Sequence, residues 1–64
     1  MEINLKIQGK HSWIKIETIV VPEYGPHYLV FEGNELTEDD VRSYPVNEVE
    51  LVLGILNKFL KGNK

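Results

Sequence analysis

The chain is 64 residues long, carries no cysteine and has a formal net charge of −3. That length holds one small domain, and it buries too little surface to be comfortably stable alone. The missing cysteines exclude disulfides and thiolate metal sites, and the acidic balance argues against a general nucleic-acid binder.

What remains to stabilise such a chain is good packing or self-association. The strand pattern begins directly after Met1 with no basic-then-apolar leader, so no signal peptide is expected. No apolar run approaches the roughly 20 residues of a membrane span. With the lack of cysteine, these features make a cytoplasmic location the expectation.

In chain order, residues 1–8 alternate, with Met1, Ile3, Leu5 and Ile7 on one face and Glu2, Asn4, Lys6 and Gln8 on the other. This is the pattern of a half-buried strand. Gly9-Lys10-His11-Ser12 is a polar break suited to a hairpin turn. Residues 13–21 are rich in β-branched side chains and predict a second strand. Its polarity shifts phase near Thr18, where a bulge or strong twist is expected. Pro22-Glu23-Tyr24-Gly25-Pro26 predicts a loop. A third strand is expected over His27–Glu32, apolar on both faces at Tyr28-Leu29-Val30-Phe31, and Gly33-Asn34 should turn the chain away.

Leu36 to Val41 carries helix-start features. Thr37 is a cap and Leu36 and Val41 have staple spacing, so a short helical turn is expected from Glu38 to about Ser43. Pro45 disfavours helix at Tyr44 and separates this turn from the next element. The stretch Asn47–Gly62 then predicts the main helix. Asn47 is read as its N-cap, Glu50 as completing a capping box, and Val46 and Leu51 as a staple. Gly62 suits the position just past the end. At roughly 100° per residue, Val49, Val52, Leu53, Leu56, Phe59 and Leu60 form one stripe, which Leu51 and Ile55 widen to roughly 200°, well beyond what one sheet face covers.

The expected fold is therefore a single α+β domain over residues 1–64. It is a three-stranded antiparallel meander with the second strand central, then a short helical turn and a C-terminal amphipathic helix packed on one sheet face. The inner sheet face should hold Ile3, Leu5, Ile7, Ile14, Ile16, Leu29 and Phe31. The outer face should show Asn4, Lys6, Trp13, Lys15, Glu17, Tyr28 and Val30.

Little in the chain points to chemistry. His11 and His27 are isolated, and His27 with Glu23 and Glu32 lacks a compact zinc-ligand spacing. No nucleophile elbow or glycine-rich phosphate loop is present, and the adjacent Glu38, Asp39 and Asp40 suit a helix start better than acid–base work. No catalytic residue, metal or cofactor is expected. The expected function is that of a non-enzymatic interaction or regulatory protein, working as a homodimer that binds a protein partner. Self-association is assigned to Leu51, Gly54, Ile55 and Lys58, because the helix has surplus apolar surface beside a glycine that permits close approach. Partner contact is assigned to Trp13, Lys15 and Tyr28 on the outer face and to Glu38, Asp39 and Asp40. These three acids belong to a segment, Glu32–Glu50, with seven carboxylates and one opposing arginine. Two alternatives stand beside this: a nucleic-acid module stacking bases on the outer face, and an acidic decoy occupying a partner's basic site.

Overall fold

The computed structural model describes residues 1–34 and 40–62. Their backbone forms four strands: β1 (Leu5–Gln8), β2 (Ser12–Val21), β3 (Gly25–Asn34) and β4 (Asp40–Pro45). The strands lie in the order β1-β2-β3-β4, each antiparallel to its neighbour. A 3-10 turn over Val46–Glu48 leads into α1 (Val49–Gly62). The class is α+β, with four strands where three were expected, so β2 and β3 share the centre. Among the described residues, no helix is long and apolar enough to cross a membrane.

The fourth strand replaces the short helical turn over the part of that turn the structure describes; Leu36, Thr37, Glu38 and Asp39 lie outside the described residues. Two effects favour a strand at Asp40–Pro45. Pro45 pushes the residue before it towards extended backbone. The long β3 also leaves a row of backbone groups on its far side, and pairing with β4 satisfies them, from Glu32–Asp40 to His27–Pro45. Tyr28–Tyr44 and Phe31–Val41 become cross-strand pairs.

The hairpin between β2 and β3 decides which residues reach the core. The Tyr24 N–H donates to the Val21 carbonyl at 3.1 Å, and Glu23 has a φ of 74°. Proline at the second turn position and positive φ at the third is the signature of a type II turn. The turn aligns Val21 with Gly25, hence Ile16 with Val30 and Thr18 with Tyr28. Directly opposed residues share a face, so Tyr28 and Val30 enter the core while Leu29 and Phe31 face outward. This inverts the expected phase of β3. Because both faces of Tyr28–Phe31 are apolar, composition could not choose between them; the turn does.

The core is Ile14, Ile16, Tyr28 and Val30 of the central strands beneath Val52 and Phe59 of α1. Ile3, Leu5, Ile7, Tyr44, Val46, Val49, Ile55 and Leu56 pack around it. The buried Tyr28 hydroxyl donates to the Met1 carbonyl at 2.6 Å, which satisfies it and ties the N-terminal residues to the sheet. Strand β1 begins at Leu5 rather than Met1, and Thr18 is the reason. Its hydroxyl accepts from the Ile3 N–H at 2.8 Å and donates to the Ile3 carbonyl at 3.0 Å. Its own N–H donates to the Asn4 side chain at 3.0 Å. Side-chain bonds thus replace the ladder there, while pairing of β2 with β3 runs unbroken through Thr18.

Pro45 also alters the helix start. It occupies the N-cap position of the 3-10 turn with φ −61° and ψ 150°, and no side chain caps that turn. Asn47 lies inside the turn, so it is not the N-cap. Proline's fixed φ starts the helical path earlier than the polar residue at Asn47 suggests.

Candidate functional site

Helix α1 covers one face of the sheet. The opposite face carries, from β2, Trp13, Lys15, Glu17, Ile19 and Val21; their β3 neighbours are Gly33, Phe31, Leu29, His27 and Gly25. Strand β1 adds Lys6 and Gln8, and β4 adds Val41 and Ser43. No described element packs on this face. An antiparallel sheet that leaves one face to water normally alternates polar residues outward. Here Trp13, Ile19, Val21, Leu29 and Phe31 are only half-buried by their neighbours, and Val41 is 51% exposed.

Local packing organises this surface. A Cβ added at Gly33 would stand 2.7 Å from the Trp13 indole, so the ring lies across the bare backbone of the glycine. Lys6 Nζ sits 5.4 Å from the centre of the Trp13 ring, and Lys15 Nζ 4.5 Å from that of Phe31. At partly exposed positions such cation–π contacts contribute about 0.5–1 kcal/mol each. Lys15 Nζ also pairs with Glu17 Oε1 at 3.2 Å. Both side chains remain well exposed, so solvent screens this pair and it adds little to stability.

Of the residues assigned to partner contact, Trp13 and Lys15 do share this face. Tyr28 does not: it is completely buried, on the helix side. Glu38 and Asp39 lie outside the described residues. Asp40 is exposed at the start of β4, with its Oδ2 3.3 Å from Arg42 Nε. Tyr44 first, and then Asp40, raise the Arg42 guanidinium above its ordinary pKa. Val30, expected outward, is in the core. Leu29, Phe31 and Val41 are the open-face residues that sequence reasoning missed. The Pro22-Glu23 turn was the signal that places the first two, through the register it imposes.

The residues assigned to self-association are split by the helix orientation. Leu51, Gly54 and Lys58 are exposed, whereas Ile55 packs against the core. Among the described residues, a Cβ at Gly54 would meet nothing within 4 Å, so none of them needs the glycine there. Leu53 and Leu60, on the other flank, are 40% and 45% exposed, so the apolar arc overhangs the sheet on both sides. Between the helix and β3–β4 lies a shallow cleft of about 310 Å³ lined by Glu32, Arg42, Ile55, Lys58 and Phe59.

His27 Nδ1 lies 3.1 Å from the Gly25 carbonyl, a local contact within the hairpin. Among the described residues, no group of three or more histidine and carboxylate side chains is placed to hold a metal ion. No family model matches the chain, and no characterised protein or solved structure gives a significant match.

Proposed function

We propose that this chain is a small non-enzymatic interaction protein that acts by docking, as a homodimer and onto a protein partner. The observation that supports this reading is the open sheet face. It presents Trp13, Leu29, Phe31, Ile19 and Val41 on the side opposite the helix. Domains are built from layers that bury each other's apolar faces, and this sheet has one apolar face more than its single helix covers. Val41 is exposed and the other four of these residues are half-buried, and accessible apolar surface gathered on one face of a small protein supports an interaction site there. Sedimentation equilibrium from sub-micromolar to hundreds of micromolar tests the homodimer. A reversible dimer at tens of micromolar is expected, and a monomer throughout overturns it.

A second reading is supported by the Lys6–Trp13 and Lys15–Phe31 pairs, since lysines interleaved with aromatic rings on an open sheet suit single-stranded nucleic acid. Against it stand the net charge of −3 and the lysines already seated over both rings. Titration with single-stranded oligonucleotides at low and moderate salt separates the two. Tight binding that weakens steeply with salt favours the second, and no binding removes it.

A further inference from the structure

We infer that the occupant of the open face is a second copy of this chain, packed sheet to sheet about a two-fold axis that crosses β2 at right angles near Ile16. This rests on the homodimer reading above and specifies its interface, which lies on the sheet and not on the helix.

The outward side chains of β2 read Trp13, Lys15, Glu17, Ile19: apolar, positive, negative, apolar. The order is complementary to its own reverse. Two copies laid face to face with their β2 strands antiparallel place Lys15 over Glu17 of the second copy, and Glu17 over its Lys15. The outer positions then match apolar to apolar, Trp13 over Ile19. In the neighbouring strand the same operation sets Phe31 over Leu29, because Phe31 pairs with Lys15 and Leu29 with Glu17 within one sheet. The alternative two-fold axis, parallel to the strands, sets Lys15 over Lys15 and Glu17 over Glu17, and like charges in contact disfavour it. A closed two-fold contact of one patch with itself is the commonest form of soluble oligomer. Sheets packed this way hold their strands within about 30° of alignment, as in β-sandwiches.

The size of the face agrees with such a contact. Four strands of these lengths cover roughly 500 Å² at about 3.3 Å per residue and about 4.8 Å between strands, or roughly 1,000 Å² for two copies. That is where specific interfaces begin, so a reversible dimer is expected rather than a permanent one. Lys15 and Glu17 pair with each other within the single chain, yet their side chains are 38% and 43% exposed, so each can exchange that partner for its counterpart across the interface.

The test uses charge reversal in complementary halves. Lys15→Glu makes the centre of the face doubly negative, and Glu17→Lys makes it doubly positive. Each variant alone should dimerise at least tenfold more weakly than wild type, and an equimolar mixture should form a one-to-one heterodimer about as tight as the wild-type dimer. Circular dichroism melts confirm that each variant is folded; Lys15→Gln and Glu17→Gln, which leave no like charge, serve if a reversal unfolds. The inference is overturned if the folded variants, separately, dimerise like wild type, or if their mixture stays monomeric. A wild type that dimerises but ignores both reversals keeps the homodimer reading and removes this interface. A wild type that is monomeric at every concentration removes both.

Discussion

Replacing Gly33 with alanine probes the best-defined contact on the open face. The new Cβ would stand 2.7 Å from Trp13 Cε2 and Cζ2 and 2.8 Å from Nε1. Carbon atoms rest comfortably at about 3.5–4.0 Å, so the indole must retreat by about 1 Å. It is the far end of a side chain on an open surface, so it can swing outward. The cost is then its lost packing across Gly33 and the lost Lys6 contact, not an unrelieved overlap. Overpacking of this kind costs about 1–3 kcal/mol, partly offset because alanine loses about 0.5–1 kcal/mol less backbone entropy than glycine on folding. A net loss of about 1 kcal/mol is expected, or a melting temperature lower by about 4–8 °C in a domain of this size. Trp13 is the only tryptophan, so its emission should shift to the red as the ring lifts into water. Both quantities are measured in dilute protein, so that association does not contribute. In a Trp13→Leu background, the same glycine substitution should be near neutral. A Gly33→Ala protein that melts at or above wild type with unchanged emission refutes the placement of the indole over Gly33.

Three further substitutions test other joints of the fold. Glu23→Gly should stabilise the protein by about 0.5 kcal/mol, because Glu23 holds a φ of 74° that glycine adopts freely, and a lowered urea midpoint would contradict it. Gly54→Ala should add about 1 kcal/mol, since the position is helical and the added Cβ meets nothing; an unchanged dimer constant is also expected, whereas a lost dimer would move the interface to the helix. Tyr28→Phe removes the hydrogen bond to the Met1 carbonyl and should cost about 1 kcal/mol, read by thermal melt. Equal stability would contradict a stabilising bond from this hydroxyl.

The helix was legible because its signal is local and repeated: the stripe through Val52 and Phe59 needs only the 3.6-residue period, and these two residues are the buried ones. The first two strands were legible from local signals too, β1 through alternation and β2 through its β-branched side chains. The misreadings lie where two local signals compete or where a distant partner decides. Tyr28-Leu29-Val30-Phe31 is apolar on both faces, so its phase comes from a turn several residues earlier. Asp40–Pro45 follows acidic, cap-like residues that suggest a helix, but the unpaired side of β3 recruits it as a strand. Asn47 is a good cap by type, yet Pro45 sets the entry before it. The open face suffered from the β3 inversion: Trp13 and Lys15 were correctly outward, while Tyr28 stood in for Phe31 and Leu29. Self-association is expected from length and missing disulfides, and its assignment to the helix flank rests on surplus apolar residues visible in one segment. The sheet face is assembled from four.

The most direct test of the docking face is iodide quenching of Trp13 in the wild-type chain as its concentration rises. Trp13 lies at one end of the face proposed to be covered by a second copy, so no substitution is needed. The quenching constant should fall severalfold between sub-micromolar and hundreds of micromolar protein, with a midpoint that coincides with the sedimentation dimer constant. A quenching constant that stays flat while sedimentation shows the dimer forming would place the interface elsewhere on the molecule.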